Sequence, residues 1–495
     1  MLGPASIHAL VALVLIPLVG SVVAFLGHRR AVGWTVVTSV FGITVSTILS
    51  VVYLVQEGPQ RYRVGGWGAP LGIDLYADGL SVIMVAMTTL VGALVSIYAI
   101  GYFRATGPAG DPGGSFWPLW LLLWAGMNAL YLSGDLFNMY VSLELLGLSA
   151  VALVTLAGGA ALMAGMRYLL VSLLGSLAFL LGVGVLYAGF GALDLLHLTE
   201  ALTPGPIVAA ALALMTLGML LKTAVFPLHF WLPPAHANAH GPISAILSAL
   251  VVKASFYVIV RLWLGLFPEV STAAGAEALG VLGMGAIVWG SLQALRQDGL
   301  KMMIAYSTVA QLGYLFLAFP LSLHPDVGAR AWQGAIYFGI GHACAKAAMF
   351  LAASSIKQVY GDDTIAGLKG IGLRMPMTLF AFGLAGVSLI GLPPSGGFIG
   401  KWILLSTSLQ AGRYDIAFVI LAGTLMAAAY VFPVISRALA RTPELRPRLD
   451  MPFSMKWTPF ALGLIGILLG LLAIEPLSLM EIGAPFEMLR RGVAP

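Results

Sequence analysis

The stretch that decides the fold runs from Leu217 to Leu262 and reads LGMLLKTAVFPLHFWLPPAHANAHGPISAILSALVVKASFYVIVRL. It places Lys222 and Lys253 inside two apolar segments, which a proline- and histidine-rich interruption separates. A lysine at membrane depth is costly, and such residues usually line a polar pathway. A break in a spanning helix is tolerated only where protein or water satisfies the freed backbone groups. We therefore interpret this stretch as half of an ion path.

The composition around this stretch is that of a membrane protein. Only 9% of the 495 residues are charged and 60% are hydrophobic, whereas soluble domains carry about a quarter charged residues. We expect an all-α polytopic protein that forms one membrane domain in the lipid bilayer, with about fourteen transmembrane helices. The fourteen apolar segments lie near residues 6–26, 32–55, 79–103, 116–133, 135–157, 162–188, 206–236, 243–265, 275–295, 300–320, 331–356, 376–408, 415–436 and 457–474.

Two of the segments, the seventh at 206–236 and the twelfth at 376–408, are too long for one straight helix across a core about 30 Å thick. Prolines interrupt both, at Pro227 and at Pro393–Pro394. The two segments cross in opposite senses, and paired interrupted helices of opposite orientation indicate an inverted repeat with ion sites at the breaks.

The predicted division of the chain follows from this pairing. It has helices 1 to 3 in 1–105, a first repeat in 116–265, a second repeat in 275–438, and helix 14 with the tail in 457–495.

The distribution of basic residues predicts the orientation. Loops after even-numbered segments and the C-terminal tail carry six: Arg61, Arg63, Arg330, Arg413, Arg490 and Arg491. Loops after odd-numbered segments carry thirteen, of which Lys301 lies at a segment edge: Arg29, Arg30, Arg104, Arg296, Lys301, Lys357, Lys369, Arg374, Arg437, Arg441, Arg446, Arg448 and Lys456. Excess lysine and arginine marks cytoplasmic loops, so we expect both termini on the non-cytoplasmic side. The net charge of +5 therefore requires no nucleic-acid partner.

Four lysines within the segments are the candidate functional residues: Lys222, Lys253, Lys346 and Lys401. Among the twenty acids only Glu144 lies deep in a segment. Static ion pairs between helices are the alternative interpretation, but one acid cannot neutralise four lysines. Arg167 and Arg261 also fall within segments, near helix ends, where they could extend to the interface. Arg167 is kept as a secondary candidate.

The histidines add titratable groups near neutral pH. His342 lies four residues before Lys346, on the same helical face. His229, His236 and His240 flank the break in the seventh segment and are secondary candidates.

Nothing in the sequence predicts a metal site, a cofactor or an independent catalytic centre. HANAH lacks the glutamate of the zinc motif H-E-x-x-H, and three prolines disrupt that helix. The single cysteine, Cys344, excludes a disulfide framework and an iron–sulfur site, and we expect it to pack as a small side chain.

Proton transfer is the chemistry that such a set of residues permits. Burial disfavours the charged form of an amine, and a nearby carboxylate favours it again. A change in the separation between Glu144 and Lys222 would therefore decide whether that lysine holds its proton.

Five ordered motifs resemble the antiporter-like subunits of respiratory complex I and of Mrp complexes, and most closely the D subunit of the multisubunit Mrp sodium/proton antiporters. They are DLFNMYVSLELLGLSA, the opening stretch from Lys222, DGLKMMIAYSTVAQLGY, GHACAKAAMFL and GLPPSGGFIGKW. The resemblance implies fourteen helices with repeats 4–8 and 9–13, broken helices 7 and 12, and a central hydrophilic axis. By motif position it implies a proton path through Glu144, Lys222, Lys253, His342, Lys346 and Lys401. Pro234 departs from the pattern, since many relatives have aspartate or glycine there.

Three functions remain open at this point. The first is a proton-translocating subunit of a sodium/proton antiporter in a prokaryotic cell membrane, with other membrane subunits as partners. The second is the same machinery in complex I or a membrane-bound hydrogenase. The third is a proton-coupled membrane partner of a bicarbonate-uptake protein.

Overall fold

The computed structural model describes residues 4–27, 29–68, 72–106, 112–440 and 450–484. Helices make up nearly all of the described chain. In chain order they are α1 (Pro4–Leu26), α2 (Arg29–Glu57), α3 (Gly79–Thr106), α4 (Pro112–Tyr131), α5 (Leu136–Thr155), α6 (Ala160–Phe190), α7 (Leu195–Ala201), α8 (Pro206–Thr223), α9 (Leu232–Asn238), α10 (Gly241–Ile246), α11 (Val252–Val260), α12 (Ala273–Leu295), α13 (Leu300–Phe316), α14 (Ala318–Ser322), α15 (Gly328–Tyr360), α16 (Ile371–Arg374), α17 (Pro376–Ile390), α18 (Gly396–Gln410), α19 (Tyr414–Leu439), α20 (Phe453–Leu468) and α21 (Ile474–Glu481).

The expected all-α membrane fold is confirmed. Within the described residues, eleven helices are long and apolar enough to cross a membrane, and each overlaps one predicted segment. The other three predicted segments correspond to α4, to the pair α17 and α18, and to α20. The number of crossings and the division into two repeats stay predictions, and residues 485–495 of the predicted tail lie outside the described chain.

The seventh segment breaks where the sequence indicates. Helix α8 ends at Thr223, and Ala224 adopts a left-handed conformation with φ 58° and ψ 43°. This conformation is uncommon for a residue with a side chain, and it persists only where the surroundings over-determine it. Pro227 then removes a backbone donor, and the helix resumes only in α9. Lys222 therefore lies in the last turn before the break.

In the twelfth segment, the break lies on the other side of the buried lysine. Helix α17 ends at Ile390, followed by Gly391 at φ 88°. Helix α18 starts after Ser395, whose Oγ accepts a hydrogen bond from the backbone N–H of Phe398 at 3.1 Å. Lys401 therefore lies in the second turn after the break, whereas Lys222 precedes its own.

The segment around Lys253 is one continuous run with two irregular turns. The α-helices α10 and α11 are joined by a π-helical turn, Leu247–Val251, and a second π-helical turn follows, Arg261–Leu266. Such turns occur frequently at functional sites. Lys253 is the second residue after the first of them.

Glycines bring α15 and α18 together at the centre of the molecule. A Cβ atom on Gly400 would lie 2.5 Å from Cβ of Phe338, and one on Gly341 would lie 2.9 Å from the backbone N of Gly397. Real Cβ atoms do not approach so closely, so only glycine allows this contact. The close packing sets the α15 residues His342 and Lys346 beside the helix that carries Lys401.

Loops on one face of the membrane contact one another, as the alternation of crossings requires. A short antiparallel hairpin, β1 (Gln60–Arg63) and β2 (Asp74–Ala77), pairs Arg61 with Tyr76. The sequence analysis did not predict this hairpin. Bridges Leu75–Ser133 and Asp135–Asp194 join the loops after the second, fourth and sixth segments, and Gly79 N donates to Ile482 O near the C-terminal end of the described chain.

On the opposite face, the bridge Gly299–Thr364 joins the loops after the ninth and eleventh segments. Which of the two faces is cytoplasmic stays a prediction. Five of the basic residues used for that prediction lie outside the described chain: Arg441, Arg446, Arg448, Arg490 and Arg491.

Candidate functional site

The four candidate lysines are all buried, and the ammonium group of each donates hydrogen bonds to uncharged oxygen atoms. The exposed fractions are 6% for Lys222, 2% for Lys253, 0% for Lys346 and 4% for Lys401. Among the described residues, no carboxylate oxygen lies within 4.0 Å of any of the four ammonium groups. Each ammonium donates instead to backbone carbonyls or to a hydroxyl group. The interpretation of these residues as static ion pairs between helices is therefore not supported by their contacts.

Lys222 is held between α5, α6 and its own helix α8. Its Nζ donates to Ser172 Oγ at 3.0 Å and to the carbonyl of Leu143 at 3.4 Å. Glu144, the next residue along α5, interacts electrostatically with Lys222 but makes no direct contact with it. Glu144 is only partly buried, and its Oε1 has no hydrogen-bond partner among the described residues. The two residues are thus near neighbours that a small movement could join or separate.

Lys253 satisfies a carbonyl of the π-helical turn that precedes it. Its Nζ donates to Ser248 O at 2.6 Å. The side chain of the same serine is hydrogen-bonded to Thr308 Oγ1 on α13 at 2.9 Å. The widened turn thus gives Lys253 a neutral acceptor and links its helix to α13.

Lys346 bonds the same face of α13, because Ile304 and Thr308 lie one turn apart. Its Nζ donates to Ile304 O at 3.0 Å and to Ser307 Oγ. His342, one turn earlier on α15, stacks against Phe338 with ring centroids 5.9 Å apart, and neither of its ring nitrogens has a hydrogen-bond partner among the described residues. His342 also interacts electrostatically with Lys253, Lys346 and Lys401.

Lys401 occupies the break of the twelfth segment. Its Nζ donates to the last carbonyls of α17, Leu389 O at 3.0 Å and Ile390 O at 3.1 Å. A cation at the C-terminal end of a helix is favoured by the helix dipole. The Nζ also lies 4.3 Å from the centroid of the Tyr314 ring. The lysine therefore has a stable position without any acidic partner.

The candidate residues form two groups. His342, Lys253, Lys346 and Lys401 interact electrostatically with one another around α13 and α15. Lys222 and Glu144 form the other group. The helices of Lys222 and Lys253 are joined one residue away from Lys222, where Thr223 Oγ1 donates to Ser255 Oγ at 2.9 Å. This contact joins the two groups.

The secondary histidines are not brought together into a metal site. In the described part of the chain, no group of three histidine, cysteine, aspartate or glutamate side chains could hold a metal ion. His229 lies at the first break, 5.7 Å from the ring of Phe226 and 6.4 Å from that of Tyr306. His236 is buried against Phe350 at 5.2 Å, and His240 faces Tyr102.

Arg167 does not join the buried groups. Its side chain is exposed near the start of α6. Arg261, which was expected to be able to extend to the interface, reaches Asp78 directly before α3. It is 10% exposed, and its guanidinium bonds both oxygens of Asp78 at 2.5 Å and Ser81 Oγ at 2.7 Å.

A second ion-pair group lies on the same face as Asp78. Arg61 bonds Asp74 at 2.5 Å and Asp194 at 2.6 Å. The sequence analysis counted Arg61 only as a loop charge. Its partners come from two different loops, and no sequence spacing relates them.

The sequence analysis also placed Lys301 at a segment edge, although it is only 3% exposed. Its Nζ donates to Ala239 O at 2.5 Å. Its position one residue into α13 is typical of an interfacial lysine. The packing of α9 over α13 buries it, and that contact leaves no signal in the sequence.

Sequence and structure comparisons agree on the family. The family described as NADH:quinone oxidoreductase/Mrp antiporter, transmembrane, matches residues 133–427. The family described as NADH-ubiquinone oxidoreductase (complex I), chain 5 N-terminus, matches residues 67–112.

Individual relatives come from both branches. The chain is 34% identical over 490 residues to NADH-quinone oxidoreductase subunit N of Desulforudis audaxviator, covering 94% of this chain and 96% of the relative. It is 32% identical over 394 residues to the D subunit of the Na(+)/H(+) antiporter of Bacillus subtilis, covering 78% and 77%.

A solved structure shares the fold. A chain of the Mrp complex from Dietzia sp. DQ12-45-1b superimposes with a TM-score of 0.86 at 22% identity, over 96% of each chain. With the family matches and the relatives, this confirms the expected family: the chain belongs to the membrane-subunit family shared by NADH:quinone oxidoreductases and Mrp antiporters.

Proposed function

We propose that this chain is the proton-translocating subunit of a multisubunit cation/proton antiporter in a prokaryotic cell membrane. The observation that carries the proposal is the set of four buried lysines whose ammonium groups are held by neutral oxygens alone. A buried charge without a counter-ion is expensive unless the group can lose its proton. These residues are therefore suited to holding a proton transiently.

Glu144 is the group that can change whether Lys222 holds a proton. In this proposal, an approach of Glu144 to Lys222 favours the ammonium, and withdrawal of Glu144 releases a proton toward the lysines around α13. The absence of a direct contact between the two is the open state of such a switch. His342 and Lys346 would pass the proton on, and Lys401 would release it at the second break.

The partners we propose are other membrane subunits, with protons and sodium as the transported ions. Sodium is inferred from the relatives named as Na(+)/H(+) antiporter subunits. The predicted orientation, with both termini on the non-cytoplasmic side, belongs to the same proposal. In this role the chain is a transporter subunit without a redox centre of its own.

Membership of a redox complex is the second candidate. It is favoured by the relative named as a subunit of NADH-quinone oxidoreductase, which covers nearly the whole chain. The proton path would be the same, and electron transfer in other subunits would drive it.

Transport in everted membrane vesicles tests the proposal. The chain is expressed with its neighbouring subunits in a host that lacks sodium/proton antiporters, and proton release is followed on addition of sodium, potassium or lithium. We expect cation-dependent antiport without an electron donor, and proton movement only with a donor would favour the redox complex.

Two variants test the residues. Glu144→Ala and Lys222→Ala should each lower antiport by about 100-fold or more while the complex still assembles, since proton transfer by a positioned group contributes at least that much. Glu200→Ala and Lys369→Ala change exposed residues of the same types and serve as matched controls. Antiport at the wild-type rate in either assembled path variant would exclude it from the path.

A further inference from the structure

A buried lysine outside the set described above lies between the membrane face and the central lysines. Lys301 is the second residue of α13 and is 3% exposed. Its ammonium donates to Ala239 O at 2.5 Å, and Ser244 Oγ donates to the same carbonyl at 3.4 Å. Like the four central lysines, it bonds a neutral oxygen and has no carboxylate within 4.0 Å among the described residues.

Two imidazole rings lie beside Lys301. Ala239 directly precedes His240, and Lys301 interacts electrostatically with both His236 and His240. Nδ1 of His236 and Nε2 of His240 are buried without a hydrogen-bond partner in the described structure. Each ring therefore has a nitrogen free to accept a proton.

His236 connects this position to the centre of the molecule. Its ring stacks at 5.2 Å on Phe350, one turn beyond Lys346 on α15. The same imidazole interacts electrostatically with Lys346 and Lys253 as well as with Lys301.

The membrane face lies on the other side of Lys301. The charged groups that act on it from that side are Lys357 and Asp363, which form an ion pair at 3.2 Å with exposed fractions of 49% and 22%. The loop of Asp363 is joined to the start of α13, since Leu300 N donates to Asp363 O and Ile365 N donates to Asp298 O, each at 2.7 Å. Lys301 thus lies in the turn of α13 to which this loop is bonded.

From these contacts we propose that Lys301 is a proton-transfer residue that connects the face carrying Lys357 and Asp363, through His236, to Lys346 and Lys253. The proposal rests on the proposed function and adds an access route to it. It assigns a role to His236, which in the central path alone would have none.

The transfer step is balanced without any further reagent. One N–H bond of the Lys301 ammonium breaks and one N–H bond forms on an imidazole nitrogen, leaving a neutral amine and an imidazolium. The imidazolium then passes its proton to a neutral lysine of the central group. A proton from water at the membrane face restores the Lys301 ammonium.

A static role would use the same hydrogen bond. Ala239 is the residue that ends α9, and a lysine that bonds the last carbonyls of a helix stabilises it. The two roles differ in what the side chain must be able to do. A cap has only to donate and carry charge, whereas a transfer residue has to give up its proton.

Three variants in the assembled complex separate the roles. Lys301→Arg keeps the charge and the donors but cannot be deprotonated at any working pH. Lys301→Gln keeps a donor without charge, and Lys301→His keeps a titratable group with an acidic midpoint. Lys369→Gln removes an exposed lysine on the same face and is the matched control.

We expect Arg and Gln at position 301 to lower antiport at least tenfold in assembled complexes, and His to retain activity with an optimum shifted to lower pH. If the Lys301→Arg variant transports at the wild-type rate, the proposal is wrong and Lys301 only caps the end of α9. If the arginine variant does not assemble, wild-type turnover with glutamine overturns it equally. Failure of all three variants to assemble would also assign Lys301 to the cap.

The same vesicles separate this inference from the proposed function. If the wild-type complex shows no cation-dependent antiport, the proposed function fails. If it does, and Lys222→Ala abolishes antiport while all Lys301 variants are normal, only the access route fails.

Discussion

Two regions of the described structure hold buried charges in opposite ways. On the face formed by the even-numbered loops, Arg61 and Arg261 are bonded to Asp74, Asp194 and Asp78 at 2.5 to 2.6 Å. Along the centre of the membrane domain, four lysines are bonded only to carbonyl and hydroxyl oxygens. In the first region, ion pairs stabilise the charged forms of the side chains. In the second region, the lysines can gain or lose a proton.

The residue types match this difference. Arginine stays charged and presents a planar fork that suits carboxylates, whereas lysine loses its proton readily when buried. A paired arginine can therefore anchor a helix, as Arg261 does for the helix of Lys253 through Asp78 at the start of α3. An unpaired lysine is suited to carrying a proton. The comparison implies that a carboxylate added to the centre should stop transport, and one removed from the face should destabilise the fold.

The largest effect is expected from a carboxylate placed beside Lys346. Ser307 Oγ accepts a hydrogen bond from the Lys346 ammonium, so Ser307→Asp would convert a neutral contact into an ion pair. A nearby opposite charge favours the charged form by about 10- to 1000-fold. Antiport in vesicles should fall by a factor in that range, while the complex assembles.

Ser307→Asn is the matched control, because it has almost the same shape and no charge. It should transport at a rate much closer to wild type than the aspartate variant does. Equal rates for the two variants would show that a free proton on Lys346 is not needed, and the comparison between the regions would fail.

Replacing a carboxylate on the face formed by the even-numbered loops should lower the stability of the fold. In Asp78→Asn, Arg261 would remain buried without its partner, and breaking a buried pair typically costs about 3–5 kcal/mol. We expect a lower thermal midpoint and a smaller yield of assembled complex, with most of the antiport rate per assembled complex retained.

Asp363→Asn is the control for this change. It breaks the exposed pair with Lys357, and such pairs contribute about 1 kcal/mol or less. A similar loss of stability in both variants would mean that burial of the Asp78 pair is not what matters.

The two regions also differ in how far the sequence predicts them. The central lysines stand out because a charge within an apolar segment is rare, and the breaks follow from Pro227 and from Pro393–Pro394. The structure brings Lys253, Lys346 and Lys401 to α13, a grouping that the sequence did not predict. The acceptors were not predictable, because Ser248 O and Ile304 O become available only through a π-helical turn and the packing of α13.

No feature of the sequence predicted the ion pairs on the face formed by the even-numbered loops. Arg61 and Asp194 are 133 positions apart and lie in loops where charges are ordinary. The burial of Lys301 was not predicted for the same reason, since it comes from α9, which lies far away in sequence. Contacts between loops depend on how the helices pack, and hydropathy carries little information about that packing.

The smallest expected effect concerns the pH dependence of the face. Burial raises the pKa of Asp194, but hydrogen bonds from His197 and Arg61 lower it by more, so the pKa lies below its ordinary value. A carboxylate with a lowered pKa in the folded state stabilises the fold above its ordinary pKa of about 3.9, and this contribution is lost as pH falls through the lowered value.

Asp194→Asn should therefore lower the thermal midpoint of the assembled complex at pH 6. The decrease should correspond to about 1 kcal/mol, because Arg61 and His197 are partly exposed. The difference between wild type and variant should shrink toward zero as the pH is lowered from the ordinary pKa through the lowered one. Glu200→Gln, on the same surface helix, should show no such convergence, and a constant difference for Asp194→Asn across this range would mean that its partners do not depend on its charge.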